Sequence, residues 1–179
     1  MKYITIAEQE VFDESSLTFI PVKETRLQLE HSLVSVSKWE SKWKKSFIET
    51  KMTIEEFVSY VECMCITQNI NPAIFKLLTQ DQIKEINDYI NDSMTATTFT
   101  NRDPNAGKGK KEIVTSEIIY YWMFAQGIPK ECEKWHFNRL MTLIRVCSIK
   151  NGPDKKMSKA ETMAMHKAAN AKARARSKR

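Results

Sequence analysis

Glycine and proline are scarce in this chain, four and five among 179 residues. So few glycines leave little material for glycine-rich ligand loops or for a large all-β sandwich with its many tight turns. No long hydrophobic run exists. The longest, IIYYWMFA at 118–125, has eight residues, against roughly 20 for a membrane-crossing helix. The start MKYITIAEQE turns acidic before an apolar targeting core can form, so no secretory signal is expected. The four cysteines are expected as reduced thiols rather than a disulfide framework. Neither a Gly-x-Ser-x-Gly elbow nor a His-Glu-x-x-His pair occurs.

Charge is present but uneven. The net charge is +6, yet residues 154–179 hold nine basic and two acidic residues, so +7. The preceding 153 residues hold 19 basic and 20 acidic ones and are nearly neutral. Nucleic-acid binding, if it occurs, therefore belongs to the C-terminal tail. Lys167, Lys172, Arg174, Arg176, Lys178 and Arg179 are its candidate contacts. A charge run of this kind is most often simply solvated, in a helical or disordered segment.

Hydrophobic periodicity organises the rest. KYITI, LTFIPV (stopped by Pro21) and TRLQLE read as two or three short strands within 1–29, with DESS as a turn. From His31 to Trp43 a helix fits best, although Val34 and Val36 leave a continued strand open. Thr53-Ile54-Glu55-Glu56 and Thr79-Gln80-Asp81-Gln82 match the capping-box pattern, as does Ser158-Lys159-Ala160-Glu161 in the tail. The first opens a stripe of Ile54, Phe57, Val58, Val61, Met64 and Cys65; the second opens one of Ile83, Ile86, Tyr89 and Ile90. AIFKLL is a short apolar turn or helix, and TNRDPNAGKGKKE is a loop. EIIYYWMFAQ is apolar on nearly every side, so it is expected to be the most enclosed helix, with Ile118 and Trp122 buried against Leu140 and Ile144. Gly127 caps it, and Pro129 opens one long helix to about residue 150, with Trp135 or His136, Leu140, Leu143, Ile144 and Cys147 inward. The expected fold is α+β, mostly α. A small N-terminal hairpin or sheet precedes a compact bundle of about five helices within a single domain 1–153 (β-rich 1–29, helical 30–153), and the basic tail 154–179 follows.

Each chemical motif has a plainer competitor. Cys63, Cys65, Cys132 and His136 are residue types that could serve as zinc ligands. However, residues two apart on a helix point about 200° apart, and no Cys-x-x-Cys knuckle exists. AGKGKK fails the phosphate-loop pattern, because Pro104 stands where a glycine is required and Lys111 where Ser or Thr is. His31 and His136 read as structural histidines, and Glu55, Glu56, Asp81 and Glu85 lie near helix N-termini, where the dipole alone favours them. No catalytic residue, metal or cofactor is expected. What stands out is LEHSLVSVSKWESKWKKSF at 29–47. Trp39 and Trp43 sit one helical turn apart among lysines, either as core or as a partner anchor. Trp39, Trp43, Lys42 and Met64 are the candidate partner-binding residues.

LEHSLVSVSKWESKW, MTATTF and EIIYYWMFAQGIPKECEKWHFNRLMTLIRVCSIKN together resemble a family of small tailed-bacteriophage proteins, the tail assembly chaperones encoded near the tape measure protein. The resemblance covers most of residues 27–160. It implies a non-enzymatic factor in the host cell cytoplasm that coats the long apolar tape measure until tail-tube subunits replace it. Tape measure or other tail proteins are then the expected partners, with self-association and nucleic acid through the tail as further ones, and no membrane. Many methionines are compatible with a surface that repacks around varied helices. The alternatives are a structural component of the virion neck or tail, or a nucleic-acid-binding protein acting through the basic tail.

Overall fold

A computed structural model of the chain describes residues 1–13, 18–99, 113–151 and 163. Among these, strands β1 (Lys2–Ile6), β2 (Gln9–Asp13), β3 (Thr18–Val22) and β4 (Thr25–Leu29) come first. They are followed by α1 (Leu33–Trp43), α2 (Ile54–Met64), a 3-10 helix (Pro72–Leu77) and α3 (Gln80–Asn91), then α4 (Ser116–Ala125), a second 3-10 helix (Lys130–Lys134) and α5 (Phe137–Asn151). The fold is α+β and mostly α.

β1 pairs with β4 and β2 with β3, both antiparallel, with Lys2 opposite Leu29 and Asp13 opposite Thr18. The two pairs share one register and so form the inner and outer halves of a single ribbon. Its inner half alternates, burying Ile4, Ile6, Leu27 and Leu29. The free edge of β4 is taken by the residues after α2: Ile66 N–H donates to the Gln28 carbonyl and Glu30 N–H to that of Met64, each at 2.9 Å. There are thus four strands rather than two or three. Gln9–Asp13 was missed, and β3 runs through Pro21, which a two-stranded ribbon tolerates because both its strands are edges. Of the expected DESS turn, residues 14–16 lie outside the described residues.

Local capping places the helices. Thr53 and Thr79 form the expected capping boxes. α1 has one as well, Ser32 with Ser35, so the helix starts at Leu33 and His31 lies before it rather than in it. In α2, Val61 and Met64 are buried, but Ile54 is 82% exposed and Tyr60 takes an inner position instead. AIFKLL forms most of the first 3-10 helix.

Two expectations for the C-terminal half need correction. α4 is not enclosed all round. Ser116, Ile119 and Met123 are buried, Ile118 and Trp122 only half-buried, and Tyr121 and Phe124 are 67% and 61% exposed. Gly127 does end it, in the left-handed region at φ +67°. The long helix from Pro129 is broken: the 3-10 turn ends at Lys134 and α5 begins at Phe137. Between them Ser32 bridges His136, and Phe137 N–H donates to the His31 carbonyl at 2.9 Å. Leu140 and Ile144 are buried as expected, while Trp135 is exposed.

α4 also lacks a side-chain cap from its own N-cap, Thr115. Glu40 of α1 supplies it from elsewhere. Its buried carboxylate accepts Ser116 N–H at 2.7 Å and Phe47 N–H at 2.9 Å, which joins three segments. Glu40→Ala leaves two donors without their acceptor and is expected to cost about 2–3 kcal/mol. A shift of the urea midpoint checks this, with Glu40→Gln expected to lose less.

Candidate functional site

An open groove of about 530 Å³ runs between α1, α2 and the first 3-10 helix. Trp43, Val58, Pro72, Ala73 and Phe75 give it apolar surface, and Lys42, Glu55, Glu62 and Lys76 line it with charge. The sequence places each group for a local reason. Trp43 is in the last turn of α1, one turn after Trp39, so the two rings stack with centroids 6.4 Å apart. Trp43 Nε1 donates to Ser59 Oγ at 3.1 Å, which fixes the half-buried ring against α2. Lys42 and Glu62 form an exposed ion pair at 3.1 Å. Asn71 caps the 3-10 helix, its side chain accepting Ala73 N–H at 3.0 Å, and Pro72 starts it. That turn buries Phe75 and leaves Lys76 outward.

Of the four residues singled out for partner contact, the groove brings together Lys42 and Trp43. Trp39 and Met64 are fully buried, so they serve as core beneath the surface rather than as contacts. Trp39 Nε1 donates to the Glu56 carbonyl at 2.9 Å, and its ring meets Phe47 edge-on at 5.7 Å. Pro72, Phe75 and Lys76 were not picked out, although NINPAIFK carried the signal of a capped apolar turn. Glu56 sits behind the groove with Lys45 at 2.6 Å; that contact, with Thr53 N–H, holds its carboxyl below the usual range. The tail candidates Lys167, Lys172, Arg174, Arg176, Lys178 and Arg179, and the Ser158 capping box, lie outside the described residues.

A second cluster is polar and buried. Ser35 Oγ donates its only proton to the Ser32 carbonyl at 2.8 Å and accepts Ser32 N–H at 3.0 Å. Tyr60 hydroxyl, 3.2 Å away, must therefore donate to Ser35 Oγ. Its oxygen then accepts from His31 Nδ1 at 2.5 Å, which assigns His31 as the Nδ1–H tautomer. His136 Nε2 donates to the Tyr89 carbonyl at 2.9 Å, leaving Nδ1 as a buried lone pair without a partner among the described residues. The two imidazoles lie edge to face, centroids 4.9 Å apart, beside Phe137 and Tyr60. Burial, reinforced by His136, lowers the His31 pKa to about 3; burial also lowers that of His136 and raises the Tyr60 and Tyr89 hydroxyls. These contacts tie His31, just after β4, to α1 and α2, and His136, just before α5, to α3.

The four candidate zinc ligands do not share one element. Cys63 is on α2, Cys65 just after it, Cys132 in the second 3-10 helix and His136 between that turn and α5. Among the described residues no three His, Cys, Asp or Glu side chains are grouped to hold a metal ion. Nor is any helix there long and apolar enough to cross a membrane. No family model, no curated protein and no solved structure matches the chain.

Proposed function

We propose that the chain is a non-enzymatic assembly factor, a phage tail assembly chaperone, acting in the host cell cytoplasm. It holds apolar helical stretches of the tape measure protein in the groove of Trp43, Val58, Pro72 and Ala73. The observation that supports this reading is the groove itself, where apolar surface is lined by charges of both signs. An amphipathic helix, about 10 Å across, lays its apolar face into such a trough and sets its polar flanks against the charges. The rigid Trp43 ring is the kind of anchor that dominates binding energy at interfaces. The sequence resemblance supplies the identity of the partner.

Co-expression with the tape measure protein tests the reading. The wild-type chain is expected to raise that protein's soluble yield and to co-purify with it. Reversing the exposed Lys42 and Lys76 to Glu, and separately Trp43→Ala, is expected to lower affinity about ten-fold or more, the effect of a hot-spot loss. The melting temperature of the charge variant should stay within a few degrees of wild type, since exposed pairs contribute little. Mass spectrometry of purified virions is expected to lack the protein; a stoichiometric amount would favour the structural-component alternative.

A further inference from the structure

The chain between α3 and residue 99 has no regular secondary structure, yet it is pinned at both ends. At its start, Asn138 Nδ2 of α5 donates to the carbonyls of Ile90 and Asp92, both at 2.8 Å. Asp92 then accepts Met94 N–H at 2.7 Å, with Met94 in the left-handed region at φ 49°. At its end, the guanidinium of Arg145 lies over the Phe99 ring, 3.9 Å from the centroid. Between the pins, Ser93, Thr95, Thr97 and Phe99 form one wall of a second open groove, of about 540 Å³. The facing surface comes from α4 and α5 and includes Trp122, Met141 and Ile144. In this groove Gln126 Nε2 donates to Ser148 at 2.8 Å, while its buried Oε1 has no donor among the described residues.

These facts describe apolar helix surface flanked by a segment that carries little apolar weight of its own. The strap's side chains are short and polar apart from Ala96, Met94, which is exposed, and Phe99, which is half-buried. Segments with few buried apolar contacts lie at the low end of local stability. At the far end the strap is fastened by the cation–π contact of Phe99 with Arg145. We propose that residues 93–99 are a displaceable strap, held in place by Phe99 under Arg145, whose release widens the open groove and uncovers more of the Trp122–Met141–Ile144 surface. If the docking reading above holds, that surface extends what the chain offers an apolar helix, and Phe99 stands in for one of the helix's side chains.

Hydrogen–deuterium exchange of the full chain, with 1-anilinonaphthalene-8-sulfonate as the surface probe, tests the strap without any partner. Phe99→Ala is expected to speed amide exchange in 92–99 about ten-fold, as loss of a cation–π contact and a half-buried ring implies. It should also raise dye fluorescence. Arg145→Gln, an exposed change, should act in the same direction, and Phe99→Tyr should restore wild-type exchange. Exchange within about two-fold of wild type in both Phe99→Ala and Arg145→Gln would overturn the strap. So would faster exchange spread through α4 and α5, or a freed strap that leaves dye binding unchanged. A strap that opens as expected, with the tape measure protein still unbound by every form, supports the strap and contradicts the docking reading alone.

Discussion

Trp39→Ala is expected to remove about 3–5 kcal/mol of folding stability, the cost of deleting a large ring and leaving a cavity in a close-packed core. The residue is wholly enclosed. Its ring contacts Trp43 and Phe47, and its indole N–H bonds the Glu56 carbonyl, so the loss combines burial, aromatic contact and one hydrogen bond. Such a loss is a large share of the stability of a typical domain. Trp39→Phe should lose much less, since it keeps most of the ring and gives up the donor. Urea unfolding followed by circular dichroism checks both. An unchanged midpoint for Trp39→Ala would mean that α1 does not pack on α2 as described. The groove would be affected too, because Trp43 rests on Trp39.

Acidification should weaken the fold before its carboxylates titrate. His31 and His136 are both held neutral, with pKa values below the free value of 6.5. The unfolded chain therefore binds more protons than the folded one once the pH drops below about 6.5. Stability is fully present above that value and declines as pH falls, until His31 itself protonates near pH 3. The full displacement of His31 corresponds to roughly 4–5 kcal/mol, and about 1 kcal/mol should already be lost between pH 6 and 5. His136 adds to this in the same direction. Opposite each ring stand aromatic and hydroxyl groups, and the charges acting on them from further off are Asp92 and the N-terminus on His136 and Glu30 on Tyr89. The unfolding free energy at pH 7, 6 and 5 gives the slope. The His31 ring proton, followed by NMR, should show no titration in that range. A normal titration near pH 6.5 would contradict its burial.

Features written in short-range pattern were legible in the sequence. The Thr53 and Thr79 boxes need only residues three apart, and Gly127 needs only its own backbone freedom. The Ser32 box escaped because Ser35, not Glu or Gln, stands at its fourth position. β2 escaped because QEVFD carries three polar residues in five and owes its extension to pairing with β3. EIIYYWMFAQ misled because a segment apolar on every side carries no period, and only neighbours decide that Ile119 and Met123 face inward. Nothing in PKECEKWHF breaks a helix. The break comes from His31, whose carbonyl takes the Phe137 amide. For the candidate site, the lysine–tryptophan face of α1 was visible, but Phe75 and Lys76 join it only through packing across more than 30 residues.

Hydrogen–deuterium exchange of the wild-type chain with and without the tape measure protein tests the central claim most directly. New protection is expected in the peptides that hold Lys42 and Trp43, Glu55 to Glu62, and Pro72 to Lys76, and it should be lost in the Lys42→Glu, Lys76→Glu variant. A complex that forms with these three segments exchanging as they do in the free chain, or no complex at all, would contradict the claim.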